Sequence, residues 1–236
     1  MATMSRALQG YGAKIADWGL PRALYASLMH FLAKRLGFRI HYVFIGANRP
    51  DLMATSCPQT PPGYAVRLAK KSDLQPFVCS SKHNLSSDFI NNAFANQDEC
   101  YVVLCNQELV SFSFTTRVAA PVTAQLEIVV PEGFRYAYKS WTDVEHRRNN
   151  LSKLRHWVKI NSADTPFNER SLFYIETHNY ASLLHGYRNP SNRAQRAGVV
   201  GWLTLFGREI PFASRTAKWV GFEFRRKDKD HRRQYI

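Results

Sequence analysis

The residues best suited to bind an anion lie just before a predicted helix in the second half of the chain. Arg147 and Arg148 follow a short acidic turn, and apolar residues then recur at helical spacing at Leu151, Leu154 and Val158. The first turn of a helix has amide N–H groups with no partner inside the helix, and it carries the positive end of the helix dipole. A phosphate or a similar anion can therefore bind at this turn, beside the two arginines.

Turns of this kind bring the backbone close to the ligand, and glycine is their usual residue because it takes positive φ angles without strain. This chain instead has Asn149, Asn150 and Ser152 in the same stretch. Asparagine is the next most tolerant residue at positive φ, so we expect the asparagines to shape the turn. The alternative is that Arg147 and Arg148 form only a solvated basic surface.

Strands and helices are predicted on both sides of this turn, in a mixed order. The predicted strands cover residues 39–46, 64–69, 100–105, 109–116, 125–130, 134–141, 171–177, 198–206 and 218–224. The predicted helices cover residues 21–36, a short segment from 72, 87–95, 149–160 and 179–187. A hairpin is predicted where only a short turn at Asn106 and Gln107 separates two strands. Early hairpin strands and a later strand–helix–strand crossover indicate an α+β or mixed α/β fold.

The first predicted helix, 21–36, has an apolar stripe and a basic end. Pro21 suits its first turn, and Gly37 can end it. Its apolar face consists of Leu24, Leu28, Phe31, Leu32 and Leu36. We expect this face to pack on the helix's own domain, and the alternative is an interfacial helix that touches membrane lipid.

The composition favours a cytoplasmic protein with a polyanionic partner. The chain has 236 residues, with 32 Lys and Arg against 18 Asp and Glu, a formal net charge of +14. Such a charge favours nucleic acid, an anionic membrane surface, a phosphorylated cofactor or an acidic carrier protein. Neither the eight histidines nor the four cysteines have metal-ligand spacing, so no metal is predicted and reduced thiols are expected. We expect neither a secretory signal nor a membrane-spanning segment.

Several stretches of the chain resemble the GNAT acyltransferase family, in the family's order. The stretch "VPEGFRYAYKSWTDVEHRRNNLSKL" is similar to the family's strand, acidic turn, Arg-x-x-Gly-x-Gly/Ala loop and helix. Arg147 matches the arginine of that loop, and Asn150 and Ser152 stand at its two glycine positions. "GYAVRLAKKSDLQPF" is similar to the first strand and helix, and "CYVVLCNQELVSFSF" to the second and third strands. "IETHNYASLLHGYR" is similar to a later strand followed by an Asn-x-x-Ser motif, and "AGVVGWLTLFGR" to a strand near the C-terminus. The resemblance covers about residues 63–225.

The resemblance implies a GNAT-like fold with a central mixed, mostly antiparallel, twisted sheet flanked by helices. It divides the chain into an N-terminal helix and strand extension with a linker (1–60), an acyltransferase domain (61–227) and a basic C-terminal tail (228–236). It also implies an enzyme that moves an acyl group from an acyl-CoA to a primary amine by direct transfer, with acetyl-CoA as the expected donor.

The family's ligand contacts carry over to the matching positions of this chain. The side chain of Arg147 or Arg148 would neutralise the charge of the CoA pyrophosphate. The backbone of five residues would hold the pyrophosphate itself: Arg148, Asn149, Asn150, Leu151 and Ser152. The pantetheine arm would pair with an exposed strand edge, between two splayed parallel strands, at Trp141, Thr142, Asp143 and Val144. The Asn-x-x-Ser motif adds Asn179 and Ser182.

The family commonly uses a strand carboxylate, often through water, to take the amine proton, and a tyrosine to protonate the leaving thiolate. Glu127 is the carboxylate candidate because it stands in a strongly apolar strand, and the alternative is a solvent-facing or salt-bridged charge. Tyr187 is the tyrosine candidate, although it is one residue beyond the family's usual spacing, and Tyr180 is the second candidate. His178, at a strand end, is a further candidate base.

Other functions compete with acyl transfer from a short acyl-CoA to an amine. The basic charge and the N-terminal helix would suit a long-chain acyl-CoA or an acidic acyl carrier protein near a membrane. The run "FRRKDKDHRRQ" would suit nucleic acid, but the aromatic residues are not interleaved with it, so nucleic acid is the weaker alternative. A domain that only binds an acyl ligand is a third alternative, because both glycines of the loop are missing. The sequence does not indicate the acceptor.

Overall fold

One large sheet with helices on both faces forms the framework of the described part of the chain. The structure is a computed structural model that describes residues 16, 18–46, 58–78, 80–162, 165–166, 168–188 and 194–227. Its helices are α1 (Leu20–Leu36), α2 (Lys71–Leu74), α3 (Ser87–Ala95), α4 (Leu151–Ile160), α5 (Tyr180–Arg188) and α6 (Arg215–Trp219). Its strands are β1 (Arg39–Ile45), β2 (Tyr64–Leu68), β3 (Glu99–Cys105), β4 (Glu108–Thr116), β5 (Ala120–Pro121), β6 (Leu126–Val129), β7 (Phe134–Thr142), β8 (Arg170–Glu176), β9 (Gln195–Leu205), β10 (Arg208–Ala213) and β11 (Glu223–Arg226).

The large sheet has eight strands in the order β10-β9-β1-β8-β7-β4-β3-β2. Among its described neighbours only β7 and β8 run parallel, and a smaller sheet has the order β11-β6-β5. Helix α3 packs in a cluster with Val102 and Phe112, whereas α4 packs with Val103. Because side chains alternate along a strand, the two helices lie on opposite faces of the sheet. The predicted α+β class, with a mixed and mostly antiparallel sheet flanked by helices, is confirmed.

Strand β1 brings the N-terminal segment into the middle of this sheet. It pairs antiparallel with β8 on one side and β9 on the other. The approach of β9 is close: a Cβ atom at Gly201 would lie 2.1 Å from the carbonyl oxygen of Arg39. The predicted 1–60 segment thus shares its sheet with strands of the predicted 61–227 domain, and the predicted 228–236 tail lies outside the described residues.

The predicted hairpin is confirmed as β3 and β4. Asn106 and Gln107 form its turn with φ angles of 50° and 70°, both in the left-handed region. A two-residue turn of this kind matches the twist of the strands it joins. The hairpin supplies the buried residues Val102, Phe112 and Phe114 to one core cluster.

The extended runs predicted at 125–130 and 134–141 are confirmed as β6, in the small sheet, and β7, in the large one. One strand prediction differs from the structure. The predicted strand at 218–224 is wrong in its first half, where α6 lies. The Ser214 hydroxyl accepts a hydrogen bond from the Ala217 amide at 3.2 Å and so caps this helix, and Gly221 at φ 73° turns the chain into β11. Strand β10 was not predicted.

Helix α1 packs on the face opposite to the predicted one. Its buried residues are Ala23, Ala26 and Met29. The predicted packing face is largely open, with exposed fractions of 54% for Leu24 and 53% for Leu28, and Leu20, Phe31 and Leu36 are exposed as well. The helix therefore packs on its own domain as expected, but through Ala23, Ala26 and Met29 rather than through the leucines of the predicted stripe. No helix in the described ranges is long and apolar enough to span a bilayer.

Candidate functional site

The principal cleft opens where the two parallel strands diverge. Strands β7 and β8 pair only from Phe134 with Arg170 to Tyr136 with Leu172. Both strands then continue in the same direction to Thr142 and Glu176 with no pairing between them. A cleft of about 1230 Å³ fills the gap and extends to the N-termini of α4 and α5.

This cleft reaches both faces of the sheet. On the α3 face it is lined by Phe89, Tyr138 and Tyr174, and the Phe89 and Tyr138 rings lie 6.2 Å apart. On the α4 face it is lined by Lys159 and Ser171. Two reactants could therefore meet in the gap from opposite sides of the sheet.

The turn before α4 has the shape of an anion site without any glycine. Arg148 has a φ angle of 72° and Asn150 one of 55°, both in the left-handed region. The expectation of an asparagine at positive φ is confirmed at Asn150, and the second left-handed residue, Arg148, was not foreseen. The first hydrogen bond of α4 runs from the Leu154 amide to the Asn150 carbonyl at 3.1 Å, so the preceding amides have no partner within the helix.

Most of the predicted pyrophosphate residues face the cleft: Arg147, Arg148, Asn150, Leu151 and Ser152 line it. Asn149 does not, because its side-chain amide donates to the Tyr64 hydroxyl at 3.1 Å. Its side chain is thereby held away from the unpaired amides of the turn. The Tyr64 hydroxyl also lies 2.8 Å from Nδ1 of His146, which lines the cleft.

The predicted pantetheine residues are divided by the structure. Thr142 lines the cleft, whereas Trp141, Asp143 and Val144 are not among its lining residues. The Trp141 ring stacks on Phe112 at 5.7 Å in the core, and the Asp143 carboxylate pairs with Lys82. Val144 is 70% exposed. The Trp141 and Asp143 side chains are thus engaged away from the gap, and Val144 does not line it. The edge of β7 that faces β8 has no described strand partner beyond Tyr136, so its backbone groups are what β7 offers a ligand there.

The predicted Asn-x-x-Ser pair lies together at the start of α5. The Asn179 side-chain oxygen accepts a hydrogen bond from the Ser182 amide at 3.2 Å, and both residues line the cleft. Asn179 therefore caps α5 where this helix meets the gap between the strands.

The predicted catalytic residues are not brought together. Glu127 lies in the small sheet, where it accepts a hydrogen bond from Nε of Arg225 at 2.5 Å, and it does not line the cleft. The Tyr180 ring packs 5.5 Å from Trp18, also outside the cleft lining, and burial raises the pKa of its hydroxyl. The side chain of Tyr187 lies outside the described residues.

Glu176 is the one carboxylate among the described residues that line the cleft. Arg39 donates to its Oε1 at 2.9 Å, and Nε2 of His178 lies 3.5 Å from its Oε2. Tyr174, two residues earlier on the same face of β8, also lines the cleft, and burial raises the pKa of its hydroxyl. Sequence reasoning missed Glu176, although its place at a strand end directly before the Asn-x-x-Ser motif was a usable signal.

A group of buried basic side chains from α4 forms the floor of the cleft. Arg155 is 4% exposed and Lys159 is 6% exposed, and both line the cleft together with His156. Burial lowers the pKa of Lys159 to about 8, that of Arg155 to about 10 and that of His156 to about 3. This floor was also missed, because polar residues on a predicted helix ordinarily lie at the surface. Within the described ranges, no three His, Cys, Asp or Glu side chains are grouped to hold a metal.

Comparison with known proteins finds likeness in solved structures alone. No family model matches the chain, and no curated protein sequence matches it. A GCN5-related N-acetyltransferase from Kribbella flavida is 12% identical over 63% of this chain and 53% of its own, with a TM-score of 0.38. A Drosophila protein is 13% identical over 73% of this chain and 52% of its own, with a TM-score of 0.48. An acetyl transferase from Salmonella typhimurium, described as modifying the N-terminal serine of a ribosomal protein, is 12% identical over 72% of this chain and 99% of its own, with a TM-score of 0.36.

The chain thus spans about half the length of the first two of these structures. Two of the three are described as acetyltransferases.

Proposed function

We propose that this protein is a divergent GNAT-type enzyme that transfers an acyl group from an acyl-CoA to a primary amine. The observation that carries the proposal is the gap between β7 and β8, which ends at an amide-rich helix start flanked by two arginines. Such a helix start suits a diphosphate, and an unpaired strand edge suits the amide-containing arm that follows it in CoA. Few other ligands combine these two features in one molecule.

In this proposal the donor lies along the cleft with its diphosphate at the start of α4. The amides of Leu151, Ser152 and Lys153, the first three residues of the helix, point at the diphosphate, and Arg147 and Arg148 oppose its charge. The pantetheine arm follows the free edge of β7 from Thr142 inwards. The start of α5, with Asn179 and Ser182, closes the other side of the arm.

Direct transfer needs a base and an acid on the α3 face, where the amine enters. The amine nitrogen attacks the thioester carbonyl carbon, so that a C–N bond forms and the C–S bond breaks. Glu176 takes the proton that the amine loses, directly or through water, and the hydroxyl of Tyr174 protonates the leaving thiolate. The raised pKa of Tyr174 keeps its proton available at neutral pH.

A matched pair of variants at Ser152 tests the donor site. Ser152→Pro removes one amide donor, and the first turn of a helix tolerates proline, as Pro21 shows in α1. Ser152→Ala keeps the amide. We expect Ser152→Pro to weaken CoA binding by about tenfold or more and Ser152→Ala to leave it within about twofold, measured by calorimetry. Equal affinities of the two variants, or the absence of CoA binding by the wild type, would refute the proposal.

A second candidate function, action on long-chain acyl donors at a membrane surface, is favoured by one observation. The apolar face of α1 is exposed, and Arg22, Lys34 and Arg35 on the same helix are exposed too. An apolar face with flanking cations is typical of helices that lie in the interface of anionic membranes. Comparing turnover of acetyl-CoA with that of a long-chain acyl-CoA, with and without anionic vesicles, decides between the two candidates.

A further inference from the structure

The α4 face of the cleft holds more buried cations than carboxylates. Glu99 and Glu169 are already shared by two arginines: Arg135 contacts them at 2.8 Å and 2.7 Å, and Arg117 contacts them at 2.7 Å and 2.5 Å. Arg155 and Lys159 lie in the same region, in the cleft itself. In this part of the described structure, three buried cations, Arg135, Arg155 and Lys159, and the exposed Arg117 therefore face two carboxylates.

Arg155 has no carboxylate partner among the described residues. Its Nη2 donates to the Ser140 hydroxyl at 3.1 Å, while its Nε and Nη1 have no hydrogen-bond partner. Lys159 donates to the Ser171 hydroxyl at 2.7 Å, and the buried Thr115 hydroxyl, also in the cleft lining, has no partner. Burying a cation without a counter-charge is costly, so a ligand that brings a negative charge to this floor would be strongly favoured.

The position of the two cations indicates which part of a ligand they meet. They lie one and two helical turns beyond Leu151, about 6 Å and about 12 Å along α4 from the proposed diphosphate seat. Lys159 contacts Ser171, at the closed end of the gap where β7 and β8 still pair. A pantetheine arm that runs along the gap from the start of α4 ends near this closed end, so the acyl group beyond it lies close to Lys159 and its terminal group can turn back towards Arg155. The proposed amine entrance is on the opposite face of the sheet.

We infer that the acyl group carries a terminal carboxylate, so that the donor is the CoA thioester of a dicarboxylic acid. Arg155 binds this carboxylate through its Nη1, as a charge-assisted hydrogen bond. Lys159 and the Thr115 hydroxyl complete its contacts. This inference rests on the proposed function and specifies the acyl donor of the same site.

The test compares two donors of equal chain length on the wild-type protein. Succinyl-CoA ends in a carboxylate, whereas butyryl-CoA ends in a methyl group. We expect succinyl-CoA to bind about tenfold tighter or more, measured by calorimetry, because a buried charge-assisted hydrogen bond is made only by the carboxylate. Arg155→Gln should abolish this preference while CoA itself binds within about twofold of the wild type. Arg208→Gln, the same change at an exposed position of β10, should keep the preference.

The outcomes separate the two proposals. Butyryl-CoA binding as tightly as succinyl-CoA would overturn the dicarboxylate inference and leave acyl transfer standing. A wild type that binds none of CoA, butyryl-CoA and succinyl-CoA would overturn both. A third arm uses acceptors: if Arg155→Gln raises the KM for an amino acid but not for its amide, with no donor preference, the cations bind the acceptor carboxylate and the inference fails.

Discussion

At the scale of single residues, the chemistry of the cleft depends most on Glu176. Its carboxylate lies on the same face of β8 as Tyr174, and it is held by Arg39 and His178. A base at this position can take a proton from an amine that enters the gap from the α3 face. The same ion pair could instead be purely structural, and the two roles give different kinetics.

Glu176→Gln should lower kcat by about a hundredfold or more, because the amide cannot accept the amine proton. Arg39→Gln is the matched control: it breaks the same ion pair at its other end and keeps the carboxylate, so kcat should stay within about threefold. The measurement is thiol release from the acyl-CoA with an excess of amine. If both variants lose the same activity, the ion pair is structural and the assignment of Glu176 as the base is wrong.

Lys159 gives a prediction on stability. Burial lowers its folded pKa to about 8, opposed by Glu169 and Glu99 and assisted by Arg155 and Arg117. The unfolded lysine keeps its proton up to about pH 10.4. Between these values the unfolded state binds more protons, so the free energy of unfolding contributed by Lys159 rises with pH. The charged lysine therefore destabilises the fold below pH 8, and this cost fades towards pH 10.

Lys159→Met removes that cost and should raise the free energy of unfolding at pH 7 by up to about 3 kcal/mol, less about 1 kcal/mol for the lost bond to Ser171. The gain should shrink at pH 9.5, and urea denaturation at the two pH values measures it. Lys218→Met, at an exposed position of α6, is the control and should show no such pH dependence. A loss of stability at pH 7 that persists unchanged at pH 9.5 would contradict the prediction.

How far single residues can be predicted from sequence depends on how local their roles are. The turn at Arg148 and Asn150 needs only a helix start and nearby charges, and its residues do face the cleft. Glu127 was selected for its apolar neighbours, but a cross-strand arginine, Arg225, occupies it. Arg155 faces the gap between β7 and β8 from α4, and that gap is a property of strand order rather than of the helix sequence.

At the scale of elements, α1 has the least expected packing. Its small residues face the sheet, and its leucines face outwards. The sequence predicted the helix and its end at Gly37, which has a φ angle of 58°. It did not predict which face is buried, because a stripe of large apolar residues ordinarily marks the packed face of a helix.

The double variant Leu24→Ser/Leu28→Ser should change the free energy of unfolding by less than about 1 kcal/mol, because both side chains are already half-exposed. It should weaken binding to anionic vesicles by about tenfold, measured by co-sedimentation. Ala26→Leu is the converse change at the buried face and should cost about 1–3 kcal/mol by overpacking. Vesicle binding equal to that of the wild type would exclude a membrane role for this face.

Elements defined by local patterns were the most predictable. The β3–β4 hairpin and the helices at 87–95 and 149–160 follow directly from turn residues and apolar spacing. In the misassigned segment at 218–224, the end of α6 and the start of β11 belong to one apolar run of the sequence. Gly221 lies between the helix and the strand and turns the chain from one to the other. Such a division depends on the Ser214 cap and on the burial of Ala217 and Phe222, which only the assembled sheets provide.

At the scale of the whole molecule, the cleft is a consequence of topology. Within the described strands, an otherwise antiparallel sheet contains one parallel pair, and the two strands of that pair separate after three residues of pairing. Strand β1 pairs with β8 on its far side and β4 pairs with β7, so each of the diverging strands keeps one partner. The sequence order of elements indicated the fold class, but not that an N-terminal strand would lie between β8 and β9.

The most direct test of this account is a crystal structure of the protein bound to CoA. We predict the diphosphate on the amides at the start of α4, beside Arg147 and Arg148, with the pantetheine arm between β7 and β8. A diphosphate bound elsewhere on the surface, or a gap between the two strands left empty by the bound CoA, would contradict the account.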